Sequence, residues 1–147
     1  MLRPPYTRYD RLFDLGTGLL AIAAARLGAG RVTAVDNNPM ACEVARRNVD
    51  LNGCQARVKV VQADLKQGPP DLDGYDLVIA NLYKGLLQRL FADPRFWRAK
   101  NCLLSGFIAG MEGDLLAPLP PGEVRILHLG CREMWRLWLL RNRAGEQ

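Results

Sequence analysis

What most constrains this chain is the way its hydrophobic pattern keeps changing period, from the two-residue alternation of a strand to the roughly 3.6-residue repeat of a helix and back. Arg11 to Leu15 (RLFDL) reads as a short strand, Gly16-Thr17-Gly18 turns it directly into an almost wholly apolar helix over Leu19 to Leu27, and Arg31 to Asp36 (RVTAVD) is β-branched again. Strands that alternate with helical crossovers run parallel, because each crossover carries the chain back to the same end of the sheet. A helix that is apolar all round is expected to be buried. With 147 residues the chain has room for one domain and its own core, so positions 1–147 are read as a single unit whose first ten residues are a short extension.

The second helix is bracketed by mechanism. Asn38 suits an N-cap, Pro39 suits the first helical position, and Asn52-Gly53 supplies the stop. Ala41, Val44, Ala45 and Val49 form its expected apolar face, and Glu43, Arg46, Arg47 and Asp50 the polar one, with Glu43 and Arg47 at ion-pair spacing. Arg57 to Gln62 is a third strand, Pro69-Pro70 and Asp73-Gly74 mark the next loop, and Tyr75 to Ala80 is a fourth strand. Leu86, Leu87, Leu90 and Phe91 share a helical face that Pro94 ends, Cys102 to Ser105 is strand five, and Met111 to Leu116 is a short helix. The apolar runs Glu123 to Leu129 and Met134 to Arg141 are separated so briefly that they must pair antiparallel. The expected fold is therefore α/β, a mostly parallel Rossmann-like sheet closed by a C-terminal antiparallel hairpin that inserts one reversed strand.

Composition excludes several classes. The longest apolar stretch, Leu19 to Ala25, is far shorter than the ~20 residues that span a bilayer, and Arg3, Pro4 and Pro5 stand where a signal peptide is apolar. A cytoplasmic protein with no membrane partner is expected. Cys42, Cys54, Cys102 and Cys131 are scattered, without a C-x-x-C pair, and His128 is the single histidine, so the cysteines read as reduced thiols and no metal site is expected. Twenty Lys and Arg against fifteen Asp and Glu give +5, a balance that suits an anionic partner such as RNA. The basic residues are dispersed along the sequence, which favours a solvated surface over direct nucleic-acid binding. Arg95, Arg98 and Lys100 around Phe96-Trp97 form the best basic-aromatic candidate, with a solvated connector as the competing reading. Trp135 and Trp138 sit at odd spacing on one strand and so face opposite sides, as core and sheet cover.

Several motifs occur in a telling order: DLGTG, LLAIAAARLGA, VTAVDNNPMACEVARRNVDLNG, then ANL and LLSG. On these residues the chain resembles the catalytic domain of the PrmA-type methyltransferases of large-subunit ribosomal protein, within the class I S-adenosylmethionine (SAM) dependent methyltransferases. The resemblance implies SAM as cofactor and a protein amine, on a ribosomal protein, as methyl acceptor. It also implies a separate N-terminal substrate-recognition domain, expected to be absent here, and a helix and Thr-bearing segment for which the ten residues before strand one leave no room. The family's glycine loop continues with a further small residue and a third glycine, where Leu19 and Leu20 stand here. That tight turn and that early start leave a second expectation, a truncated or degenerate methyltransferase-fold protein with impaired SAM binding. A nicotinamide-dependent oxidoreductase fits less well, because the third glycine is missing and the last strand is reversed.

In an open α/β sheet the site lies beyond the carboxyl ends of the strands. The resemblance places Asp14, Gly16, Thr17 and Gly18 at the methionine end of the cofactor, Asp36 on the ribose, and Ala63 and Asp64 on the adenine. A carboxylate such as Asp36 can accept from both vicinal hydroxyls, although an exposed Asp that merely starts a turn competes with this reading, as a loop Asp does for Asp64. Asn81 is the expected catalytic residue, in contact with cofactor and substrate, because its carbonyl can orient an amine lone pair without the charge that stabilises an ammonium ion. Its competing reading is a turn-former that closes strand four. Tyr83 is the expected substrate contact through its ring face.

Overall fold

The structure, a computed structural model, describes residues 11–15 and 18–143. The strands are β1 (Arg11–Leu15), β2 (Arg31–Asp36), β3 (Val58–Gln62), β4 (Leu77–Asn81), β5 (Asn101–Ile108), β6 (Val124–Arg132) and β7 (Trp135–Asn142). The helices are α1 (Leu19–Arg26), α2 (Pro39–Leu51), α3 (Lys84–Phe91) and α4 (Glu112–Leu116), with short 3-10 turns at Leu65–Gln67, Pro94–Arg98 and Ala109–Met111. The seven strands make one sheet in the order β3-β2-β1-β4-β5-β7-β6. β1 to β5 are mutually parallel, and β7 runs antiparallel to both of its neighbours, so the reversed strand is spliced in as the hydrophobic pattern requires.

Both faces of the sheet are buried, and β4 shows how. Leu77 and Ile79 join the cluster under α1 and α2, while Val78 and Ala80 join the one under α3 and α4. A strand covered on both sides needs apolar residues at every position, which is why LVIA reads as a continuous run. The second cluster is aromatic-rich. Phe91, Phe96 and Trp97 pack with ring centroids 5.0 to 5.7 Å apart, and Phe107 meets Trp138 edge to face at 4.8 Å. Trp138 also donates its indole N–H to Glu112 Oε1 at 3.1 Å, which ties the terminal hairpin to α4.

Several local expectations are corrected. α1 is not buried all round: its core face is made of Ala21, Ile22, Ala24 and Ala25, while Leu19 and Leu27 are 70% and 89% exposed at its ends. The alanines let α1 lie close on the sheet, and the larger leucines fall beyond its edges. In α2, Cys42 occupies the core with Ala45 and Val49, and Val44 is exposed. Tyr75 precedes β4 rather than starting it, and β5 is longer than expected because a bulge between Ser105 and Phe107 lets it continue to Ile108. Of the two tryptophans, Trp138 is core, but Trp135 is 53% exposed. The cysteines are free thiols, and among the described residues no helix is long and apolar enough to cross a membrane.

The expected N-cap is present: Asn38 is extended and its Oδ1 accepts from the N–H groups of Met40 and Ala41 at 2.9 and 3.4 Å. Replacing it by alanine strands those donors. Asn38→Ala is expected to lower stability by about 0.5–2 kcal/mol in urea denaturation, with the slope of the transition unchanged.

Candidate active site

Connections from β1 run outward through β2 to β3, and those from β4 run the other way to β5, so the connectivity reverses between β1 and β4. Such a reversal opens a crevice at the carboxyl ends of the strands. An open cleft of ≈ 270 Å³ lies there, lined from one side by Val35, Asp36 and Asn37 with Ala63 to Lys66, and from the other by Leu82, Tyr83 and Leu86. Thus Asp36, Ala63, Asp64 and Tyr83, four of the expected site residues, come together from three separate stretches of chain.

Asp36 ends β2, and its Oδ1 accepts the Asn38 N–H at 2.8 Å, which holds the carboxylate in one orientation and leaves the other oxygen without a partner among the described residues. Cys42 adds an S–H bond to the Asp36 carbonyl at 3.4 Å, and the Ala63 N–H donates to the same carbonyl at 3.0 Å. The ends of β2 and β3 are thereby locked together. Asp64 caps the following turn, its Oδ1 accepting the Lys66 N–H at 2.9 Å, so the carboxylate has a structural task as well as a place in the cleft. Tyr83 stands at the N-cap of α3, 58% exposed.

Asp14 is fully buried on β1. Its Oδ2 accepts the Ala21 N–H in the first turn of α1 at 3.0 Å, and its Oδ1 has no partner among the described residues. Burial pushes the carboxyl up to about 6, and the Ala21 N–H pulls it only part of the way back. A buried carboxylate with one oxygen unsatisfied is costly and calls for a cation or a donor. Gly16 and Thr17 lie outside the described residues. Gly18 is in the left-handed region at φ 80°, and a Cβ on it would lie 2.9 Å from the Ala45 Cβ, so only glycine lets the turn pass this close to α2.

Asn81 ends β4, exposed, and its Oδ1 accepts the Ser105 hydroxyl at 3.2 Å from the neighbouring strand. It stands one residue before Leu82 and is not itself part of the cleft lining. Two residues escaped the functional reading of the sequence, Ser105 and Gly106 of the LLSG segment. Gly106 has φ 94°, and a Cβ there would meet the Leu82 N and C at 2.7 and 2.9 Å. The Leu82 N–H donates to the Ser105 carbonyl at 3.1 Å, so the bulge of β5 seats the backbone that follows Asn81. A glycine directly after a serine at the end of a strand is the only local signal of this, and it becomes meaningful once β4 and β5 are known to be neighbours.

The basic-aromatic candidate does not hold as a nucleic-acid surface. Arg95 pairs with Asp93 at 2.7 Å, Arg98 with Asp71 at 3.5 Å and Lys100 with Asp76 at 2.7 Å. Phe96 and Trp97 are buried, with the Trp97 indole donating to the Phe91 carbonyl at 2.9 Å. Each cation has its own carboxylate, and neither ring is free to stack on a base.

The sheet order, the reversed strand, the cleft at the carboxyl ends and the acidic residues around it define a class I methyltransferase domain. A family model described as ribosomal protein L11 methyltransferase (PrmA) matches residues 6–135. The chain belongs to the ribosomal protein L11 methyltransferase (PrmA) family. The ribosomal protein L11 methyltransferase of Pelotomaculum thermopropionicum is 50% identical over 82 residues, 55% of this chain and 25% of that protein. That of an Exiguobacterium species is 36% identical over 132 residues, 86% of this chain and 41% of that protein. The chain thus spans less than half the length of these relatives. Its fold is similar to that of a ribosomal protein L11 methylase from Lactobacillus delbrueckii subsp. bulgaricus, with a TM-score of 0.80 at 22% identity over 95% of this chain and 72% of that one. A Streptococcus pneumoniae protein solved in complex with S-adenosyl-L-methionine shares the fold at a TM-score of 0.78 and 16% identity, over 92% of this chain and 67% of that one.

Two expectations test this geometry. The folded Asp14 carboxyl holds its proton up to about pH 6 and the unfolded one releases it near 3.8, so stability falls as pH rises through that window and the loss is complete above it. Asp14→Asn is therefore expected to stabilise the chain by an amount on the order of 3 kcal/mol at pH 7.5 and by almost nothing at pH 3.5, measured by urea denaturation. Gly106→Ala is expected to destabilise it by about 1–3 kcal/mol in the same assay, because the Leu82 backbone must move or the strained φ must relax.

Proposed function

We propose that this chain is the SAM-binding and methyl-transferring part of an N-methyltransferase acting on a protein amine, with ribosomal protein L11 as the substrate. The observation that carries this reading is the cleft at the strand ends, where an oriented carboxylate, Asp36, and a second, Asp64, line one side and Leu82 and Tyr83 the other.

The residues fit the cofactor on three counts. Asp36 offers a free oxygen to the ribose hydroxyls, the backbone of Ala63 and the carboxylate of Asp64 are in reach of an adenine in the same cleft, and the buried unsatisfied oxygen of Asp14 matches a cationic methionine end near Gly16-Thr17-Gly18. Bound there, SAM would supply a methyl group on a sulfonium, which an uncharged amine takes in line as the neutral thioether leaves. The protein must then hold that amine neutral and aimed. Asn81 does so with a carbonyl fixed by the Ser105 hydroxyl, which keeps one lone pair for an N–H of the substrate and adds no charge that would stabilise the ammonium form. Tyr83, exposed at the mouth of the cleft, packs its ring against the incoming side chain.

Calorimetric titration with SAM and with its demethylated product tests the cofactor site. Asp36→Ala is expected to lose affinity for both by a factor on the order of ten or more, as befits removal of a charged hydrogen-bond partner. Affinity of the unaltered chain is expected to fall as pH drops below about 6, where Asp14 takes up its proton. Asn81→Ala is expected to leave SAM affinity within about twofold and to reduce methyl transfer to ribosomal protein L11 by roughly a hundredfold or more, the range of a lost positioning group. A folded chain that binds neither SAM nor its product refutes the cofactor assignment, and full transfer by Asn81→Ala refutes the role given to that residue.

A further inference from the structure

The two edges of the sheet are built differently. β3, at one edge, has five residues and carries Lys59. β6, at the other, is nine residues long, VRILHLGCR, with no proline and no lysine. An edge strand presents unpaired N–H and C=O groups to any chain that can pair with them, and short length, lysine and proline are common means of blunting it. β6 uses none of these three, and Ile126, Leu127 and Leu129 on it are exposed. Its one irregularity is a bulge at Leu127, between Ile126 and His128.

Pairing with β7 fixes which face each residue takes. Ile126 and Leu129 are opposite Leu140 and Trp138, which belong to the core under α3 and α4, and Val124 packs on the same core. Cys131 is opposite Arg136, whose guanidinium meets Glu112 of α4 at 3.5 Å, so it shares that face. Arg125, His128, Gly130 and Arg132 are opposite Arg141, Leu139, Leu137 and Trp135, and take the other face. The extra residue at the bulge breaks the alternation, so Ile126 and Leu129 lie on one face although they are three positions apart. Glu123, just before the strand, and Arg132, its last residue, are exposed, and neither has an ion pair or side-chain hydrogen bond among the described residues.

We propose that β6 is a homodimer interface, in which two copies of this chain join edge to edge with Glu123 of each against Arg132 of the other. A two-fold axis perpendicular to the sheet makes the two strands antiparallel and keeps each face of the joint sheet continuous. On a regular strand such an axis pairs residues an even number of positions apart, and the bulge lets an odd spacing match instead. An axis between Leu127 and His128 sets Ile126 against Leu129 of the second copy and Val124 against Cys131, each pair on the α3 and α4 face. On the other face it sets Glu123 against Arg132, and Arg125 against Gly130, which has no side chain to obstruct it. Neighbouring registers are repulsive: moving the axis onto His128 sets Glu123 against Glu133, and moving it past His128 sets Arg125 against Arg132. Each copy has one such edge, so association closes at two. The cleft is lined from β2, from the segment after β3 and from the segment after β4, away from β6, so both clefts stay open and the inference does not depend on the function proposed for them.

Analytical ultracentrifugation of the full chain tests this. At about 100 μM and low salt a species of twice the chain mass is expected, with a micromolar dissociation constant that rises as salt is added. Glu123→Arg alone and Arg132→Glu alone each turn the attractive contacts into repulsive ones, and each is expected to weaken self-association by roughly tenfold or more. In an equal mixture of the two variants, unlike copies regain an attractive contact at both ends of the strand pair. The mixture is expected to associate within about threefold of the unaltered chain. Thermal unfolding checks that the variants are folded, and both altered side chains are exposed. A chain that stays monomeric at that concentration overturns the proposal and leaves the edge to a strand of another protein. Single reversals that associate as well as the unaltered chain, or a mixture no tighter than its components, overturn it equally.

Discussion

A parallel sheet buried on both faces sets the terms for the rest of this molecule. Each strand must place side chains into two separate cores, so helices have to cover both sides, and right-handed crossovers reach both sides only if the connectivity reverses direction partway across. That reversal falls between β1 and β4, and the cleft follows from it. The same polarity gathers all the carboxyl ends on one side and all the amino ends on the other. Asp14, Asp36 and Asp64 belong to the first group. That acidic end suits a cationic group.

At the acidic end, stability and chemistry compete. Asp14 is buried with one oxygen that has no partner among the described residues, an arrangement that a chain selected for stability alone would replace. Gly18 and Gly106 hold the backbone in the left-handed region at two points where a Cβ would strike α2 or the Leu82 backbone. These strained places stand at the carboxyl ends of β1 and β4. The surrounding structure over-determines them through the Ala21 N–H, the Ser105 carbonyl and the bonds that tie Asp36 to Ala63 and Cys42.

Elements whose signals are local were legible in the sequence. Asn38 and Pro39 started α2, Asn52-Gly53 ended it, and the brief gap between two apolar runs required a hairpin. Asp36, Ala63, Asp64 and Tyr83 were placed at the cleft because strand ends and family motifs point there together. Reading burial from hydrophobicity failed for Leu19, Leu27 and Val44, since a helix buries the side chains that face the sheet, and helix position decides which those are. The Arg95 to Lys100 segment misled in the opposite sense: its cations looked free until the fold supplied Asp93, Asp71 and Asp76.

The sequence by itself determined the alternation of strands and helices, the caps, the reversed last strand and the family, because each depends on residues close together in the chain or on motifs kept in order. Tertiary structure alone decided that Ser105 holds Asn81, that Gly106 admits the Leu82 backbone, and that one oxygen of Asp14 has no partner among the described residues. Those facts depend on strand register, and register is set by the pairing of segments far apart in the chain, whose burial on both faces permits a single alignment.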